Sequence, residues 1–224
     1  MPDACFCESI RHHVIRQPAN TLSGLAFVAV AAWIWTRRDA APRNTSALAA
    51  MFASTALVVG IGTMLYHASL TFWGQTLDVF GMYLVVTLVI AASLGRNAGV
   101  SPRAQVTAYA ISNALLLAAL IAVPVARRYV FAALVIGAIV CERITRDRVR
   151  VPRARTFAHA MLVLFAGFVI WVLDITRIAC APDSWLQGHA VWHVCGALAL
   201  ALVFEYYRRG AGLTAADGSR ILAG

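Results

Sequence analysis

The chain has 224 residues, 61% of them hydrophobic and 13% charged, with a mean hydropathy of +0.74. A soluble domain carries about 25% charged residues, and the apolar residues here fall in long runs, so the composition excludes an ordinary soluble fold and implies a polytopic membrane protein. The net charge of +9 comes from 19 arginines, with no lysine, against ten acidic residues; the arginines sit in loops between apolar runs, which reads as positive-inside bias and not as a nucleic-acid surface.

The first twenty residues, MPDACFCESIRHHVIRQPAN, are polar and lack the apolar core of a cleavable signal peptide, so the first long run is expected to stay as a span. Seven stretches long enough to cross a bilayer follow, near 20–36, 46–67, 75–95, 104–125, 128–145, 156–179 and 187–207. Pro18, Pro42, Pro102, Pro152 and Pro182 punctuate them, and Pro124 stands at the end of the fourth. No repeat or long linker divides the sequence. The expected fold class is all-α: an integral membrane bundle of seven transmembrane helices, one domain over 1–207 and a short cytoplasmic tail over 208–224. An odd number of spans puts the termini on opposite sides. The N-terminal tail and the even loops hold Arg11, Arg16, Arg127, Arg128 and Arg177, while the odd loops and the C-terminal tail hold the other fourteen. Six of these lie in ERITRDRVRVPRAR. That distribution places the N-terminus outside and the C-terminus inside.

Following the chain in this orientation, the second span ends outside in GIGTMLYHASL and the third begins there with WGQTLDVFGMY. The sixth ends in WVLDITRIAC and the seventh begins QGHAVWH. Thr63, His67, Asp78, Asp174, His189 and His193 are thereby expected at one depth near the outer face, and intramembrane ionisable residues mark functional sites by default. His189 and His193, at i and i+4, project from one helix face and can reach a common ion, with His67 as a third nitrogen from another helix. Three protein ligands leave a position for water, the pattern of a catalytic zinc. Asp78 can take a proton from that water, and the Thr63 hydroxyl, one turn before His67, can donate to an oxyanion.

Each residue also has a plainer role. Asp78 reads equally as a helix cap or buried hydrogen-bond partner, and Thr63 as a hydroxyl bonded to its own helix. For Asp174 a structural role, pairing with Arg177 or capping a neighbouring helix, is favoured over metal binding. Paired histidines also suit haem, but the i, i+4 spacing on one helix fits a small ion better.

These segments resemble the alkaline ceramidases, within the larger group of seven-helix membrane hydrolases that includes the adiponectin receptors. The matching pieces are Cys7–Glu8, QPANTLSGLAF, GTMLYH with Asp78 eleven residues on, WVLDITRIAC and HAVWH. The resemblance implies a zinc-dependent amidase with His67, His189 and His193 as ligands and Asp78 beside the water. Thr63 stands where that family normally has Ser, which keeps the hydroxyl and adds a methyl. Calcium, which the eukaryotic ceramidases bind through an acidic N-terminal cluster, is not expected: Glu8, with Asp3 nearby, is accompanied by SIRHHVIRQP, and calcium wants six to eight oxygens. The family pattern also implies a Cys7–Cys180 disulfide on the oxidising side, with Cys5 beside it, while Cys141 and Cys195 pack within spans.

The leading function is hydrolysis of the amide of a ceramide-like lipid within the membrane. A seven-helix zinc-containing receptor without fast turnover, or a transporter using the His and Asp residues as a relay, are the alternatives. The all-Arg, Ala-rich composition points to a bacterial inner membrane, with the site near the periplasmic face and lipid as partner; ceramide itself can be scarce there, leaving another N-acyl lipid as substrate.

Overall fold

The computed structural model describes residues 6–38, 43–95, 101–148 and 154–221. All regular elements among them are helical: α1 (Pro18–Ser23), α2 (Leu25–Thr36), α3 (Arg43–Ser69), α4 (Phe72–Gly95), α5 (Pro102–Ala122), a 3₁₀ turn (Pro124–Ala126), α6 (Arg127–Arg148), α7 (Ala154–Ile175) and α8 (Gly188–Ile221). Seven segments are long and apolar enough to cross a membrane, α1 and α2 together forming the first. Helices satisfy their own backbone groups, and lipid offers no partners for unpaired ones, so runs of this length and apolarity fold as helices.

Two expected boundaries move, each for a local reason. Pro124 opens the fifth span instead of closing the fourth: α5 stops at Ala122, and the proline, which has no N–H to satisfy, starts the 3₁₀ turn leading into α6. The sixth span ends at Ile175, short of residue 179, because Arg177 adopts a left-handed conformation (φ 59°).

Small residues decide which helices meet. The first span breaks at Gly24, and a Cβ there would stand 2.7 Å from Met64 Cγ and 3.0 Å from the Gly60 carbonyl on α3. Two residues further along α3, a Cβ on Gly62 would lie 2.9 Å from backbone atoms of Leu77 and Asp78 on α4, and one on Gly81 would lie 3.0 Å from Val59 Cα. Any side chain at these points would hold the backbones apart, so α3 lies closely against both the α1–α2 span and α4. The core between α2, α3, α4 and α8 holds Ile34, Phe52, Ala56, Leu88 and Phe204, all nearly inaccessible. Helices α5 and α6 pack on the outside of α4, and α7 packs chiefly on α8.

Ionisable residues do not all gather at one end. Glu142, on α6 near the end remote from the histidines, is buried and accepts hydrogen bonds from Ser93 Oγ (2.8 Å), Tyr207 Oη (2.8 Å) and Tyr206 Oη. It ties α6 to α4 and α8, and the three donors satisfy its buried carboxyl group.

Candidate metal centre

His67 lies in the last turn of α3, and His189 and His193 in the first two turns of α8. Their exposures are 0%, 5% and 5%, so no bulk water serves the rings. The structure brings the three together: one ring nitrogen of each lies within 4.8 Å of the others, and His67 Nε2 and His189 Nε2 stand 3.1 Å apart.

Two tautomers follow from the surrounding hydrogen bonds. Gln17 donates its amide N–H to the Glu8 carbonyl (3.2 Å), which turns its oxygen toward His67 Nδ1 at 2.8 Å. His67 therefore carries its proton on Nδ1. Ser23 gives its hydroxyl proton to the Asn20 carbonyl (2.7 Å) and must accept from His193 Nδ1 at 2.6 Å. Both Nε2 atoms keep their lone pairs. A ligand histidine held by an acceptor on its other nitrogen is the usual outer layer of a metal site, and imidazole nitrogens suit zinc and its transition-metal neighbours. Among the described residues this cluster can hold one metal ion.

The model of the ceramidase family matches residues 4–211. The chain belongs to the ceramidase family. Comparison with curated protein sequences finds no match. Membership brings the class of reaction, hydrolysis of an amide bond in a ceramide-like lipid, to a chain with seven helices long and apolar enough to cross a membrane.

Asp78 is buried in the second turn of α4, where Thr63 Oγ1 donates to its Oδ1 at 2.6 Å. Thr63 precedes His67 by one turn, about 6 Å along the axis, so the Thr63–Asp78 pair is fixed next to the triad. The hydroxyl thus bonds to another helix, not to its own, and its proton faces Asp78.

Asp174 caps a neighbouring helix. Its Oδ2 accepts from the His189 N–H (3.1 Å) in the first turn of α8, and its Oδ1 from the Cys7 N–H (3.0 Å). A carboxylate at a helix N-terminus meets unpaired amides and the positive end of the dipole. Gly188 permits the approach, since a Cβ there would lie 2.9 Å from Asp174 Cβ.

The N-terminal segment lies over the triad. Cys7 and Cys180 form a disulfide, and Ser9 is bound to the 180s loop through Pro182 and Asp183. Phe6 is thereby set with its ring centroid 4.0 Å from that of His189 and 5.1 Å from that of His67. The amides of Arg16 and Gln17 bond to the carbonyls of Ala68 and His67, closing the end of α3. Glu8 caps α1, accepting from the Ala19 and Asn20 amides at 2.7 and 2.9 Å. Burial pushes its carboxyl above the usual range, opposed by those two amides and by Arg11. Asp3 and Cys5 lie outside the described residues. Cys141 and Cys195 are free and half-buried in α6 and α8.

A groove of about 400 Å³ runs between α1 and α8, lined by Leu22, Trp185, Val191 and Val194 and reaching Ser23. Sequence reasoning did not single out Phe6, Gln17, Asn20 or Ser23. A signal existed for three of them: 17, 20 and 23 are polar positions spaced by three at the start of an apolar span.

Proposed function

We propose that the protein is a zinc-dependent membrane amidase that hydrolyses the N-acyl amide bond of ceramide or a ceramide-like lipid to fatty acid and free amine. The buried triad of imidazoles, in a chain of the ceramidase family, is the observation that carries this reading. His67, His189 and His193 would hold the ion. Zinc held there supplies Lewis acidity toward a carbonyl and lowers the pKa of water to about 7.

The chain's own groups do the rest. Thr63 engages Oδ1 of Asp78 and leaves Oδ2 for the reacting water. Asp78 takes one proton from the water as its oxygen bonds to the amide carbon, then delivers that proton to the nitrogen as the C–N bond breaks. The acid keeps the carbonyl oxygen and gains the water's oxygen, and the amine gains the proton. Phe6 and the disulfide-anchored segment shield the triad from the aqueous side, and the α1–α8 groove offers an apolar surface next to Ser23. Both features favour a substrate that arrives from within the membrane.

The arginine distribution supports an outside N-terminus and a cytoplasmic C-terminus. This puts the site near the periplasmic face of a bacterial inner membrane, with 1–207 as the hydrolase domain and 208–224 as the cytoplasmic tail. Purified protein should hold about one zinc per chain and release fatty acid from a fluorescent ceramide, losing activity on chelation and regaining it with zinc. Replacing any triad histidine by Ala should lose the metal, whereas Asp78→Asn should keep it and lose turnover. Wild type without zinc, or unchanged zinc in all three histidine variants, overturns the mechanism; zinc without hydrolysis of any N-acyl lipid favours a receptor.

A further inference from the structure

We propose that Asn20 is the residue that hydrogen-bonds the polar head of the lipid beside the scissile bond, an inference that rests on the amidase reading. Gln17 is the residue just before α1, and successive helical residues turn by about 100°, so Asn20 and Ser23 on α1 are offset by about 60°; the three polar positions 17, 20 and 23 make a stripe beside the triad. The stripe faces the triad at both ends: Gln17 holds His67 and Ser23 holds His193. Asn20 stands between them.

Its backbone is fully used, with the N–H bonded to Glu8 Oε2 and the carbonyl accepting from Ser23. Its side chain is different. Asn20 is inaccessible, yet neither Nδ2 nor Oδ1 has a partner among the described residues. A carboxamide carries two donors and an acceptor, and leaving both ends unpaired in a core costs more than an apolar residue of the same shape would. Leu would fill this position more favourably if folding alone set the choice. Unsatisfied buried groups persist where a ligand completes them.

The ligand must offer an acceptor and a donor close together, next to the triad. An N-acyl amino alcohol does so: a head-group hydroxyl oxygen accepts from Nδ2–H, and a second hydroxyl or the amide N–H donates to Oδ1. The Gln17 and Ser23 side chains are committed to histidines, so Asn20 is the member of the stripe left for substrate. Because the contact is made to substrate and not to the ion, it serves binding.

The test compares wild type with Asn20→Leu and Asn20→Ala. Zinc content, thermal stability, kcat and KM on an N-dodecanoyl amino-alcohol lipid, and thermal stabilisation by the corresponding unhydrolysable sulfonamide would be measured. Asn20→Leu should keep zinc and match or exceed the wild-type Tm. It should also lose about tenfold or more in kcat/KM, chiefly through KM, and lose most of the stabilisation by the sulfonamide. A fall of several degrees in Tm for both variants would show a structural role and overturn the proposal. So would loss of zinc, unchanged KM and sulfonamide response, or a loss confined to kcat. If wild type hydrolyses no N-acyl lipid, the amidase reading fails, and the sulfonamide response decides on Asn20 separately: absent from wild type, or equal in the variants, it overturns the assignment.

Discussion

Removing the Asp174 carboxylate should unfasten two parts of the molecule at once. The side chain is inaccessible, and its two oxygens each take one buried amide: Cys7 N–H at 3.0 Å and His189 N–H at 3.1 Å. A hydrogen bond to a charged group contributes about 1.5–3 kcal/mol, so Asp174→Ala should cost about 3–6 kcal/mol. A chain of this length loses about 2–4 °C of Tm per kcal/mol, and the variant should therefore melt at least about 6 °C lower. Asp174→Asn retains one acceptor oxygen but presents an NH₂ to the other amide, so its loss should approach that of Ala. The assay is thermal unfolding of detergent-solubilised protein, followed by helical circular dichroism, with metal content measured on the same sample. Zinc should be retained by Asp174→Asn, because Asp174 touches the His189 backbone and not its ring. A Tm within about 2 °C of wild type, a third of the smallest expected shift, would refute the capping argument. Loss of zinc at unchanged Tm would make Asp174 a ligand instead.

Gln17→Leu and Ser23→Ala should each weaken zinc binding by about 10–100-fold, the usual cost of removing a partner from a ligand histidine, as read by competition with a chelator; unchanged affinity in both would refute the tautomer assignment. Non-reducing peptide mapping should recover the Cys7–Cys180 pair, and reduction should expose the triad by releasing Phe6, seen as faster zinc loss to chelator in reductant than without it. Glu8 gives a pH test. Its folded carboxyl titrates above the usual value of 4.5, so the folded state holds the proton more tightly; this contribution to stability is present below 4.5 and lost as pH rises through the folded value. Glu8→Gln should abolish that fall in Tm, and an identical pH profile for wild type and variant would refute it.

What the sequence by itself determined is the local part. Seven helices follow from seven apolar runs, because a chain in lipid must satisfy its backbone within each span. The His189–His193 pair is equally local, since two side chains four residues apart share a helix face whatever the rest of the chain does. Arg177 and Pro124 shifted two boundaries because a left-handed residue and a missing N–H act over one turn, finer than an apolar window resolves. The tertiary structure decided everything that needed two distant segments. It set Phe6 on His189, closed Cys7 on Cys180 and placed Thr63 against Asp78 across glycine contacts that let α3 and α4 touch. Glu142 shows the difference most clearly. Nothing in VIGAIVCERIT marks it, yet it is buried, because Ser93, Tyr206 and Tyr207 arrive from two other helices to satisfy a carboxyl group that its own helix cannot.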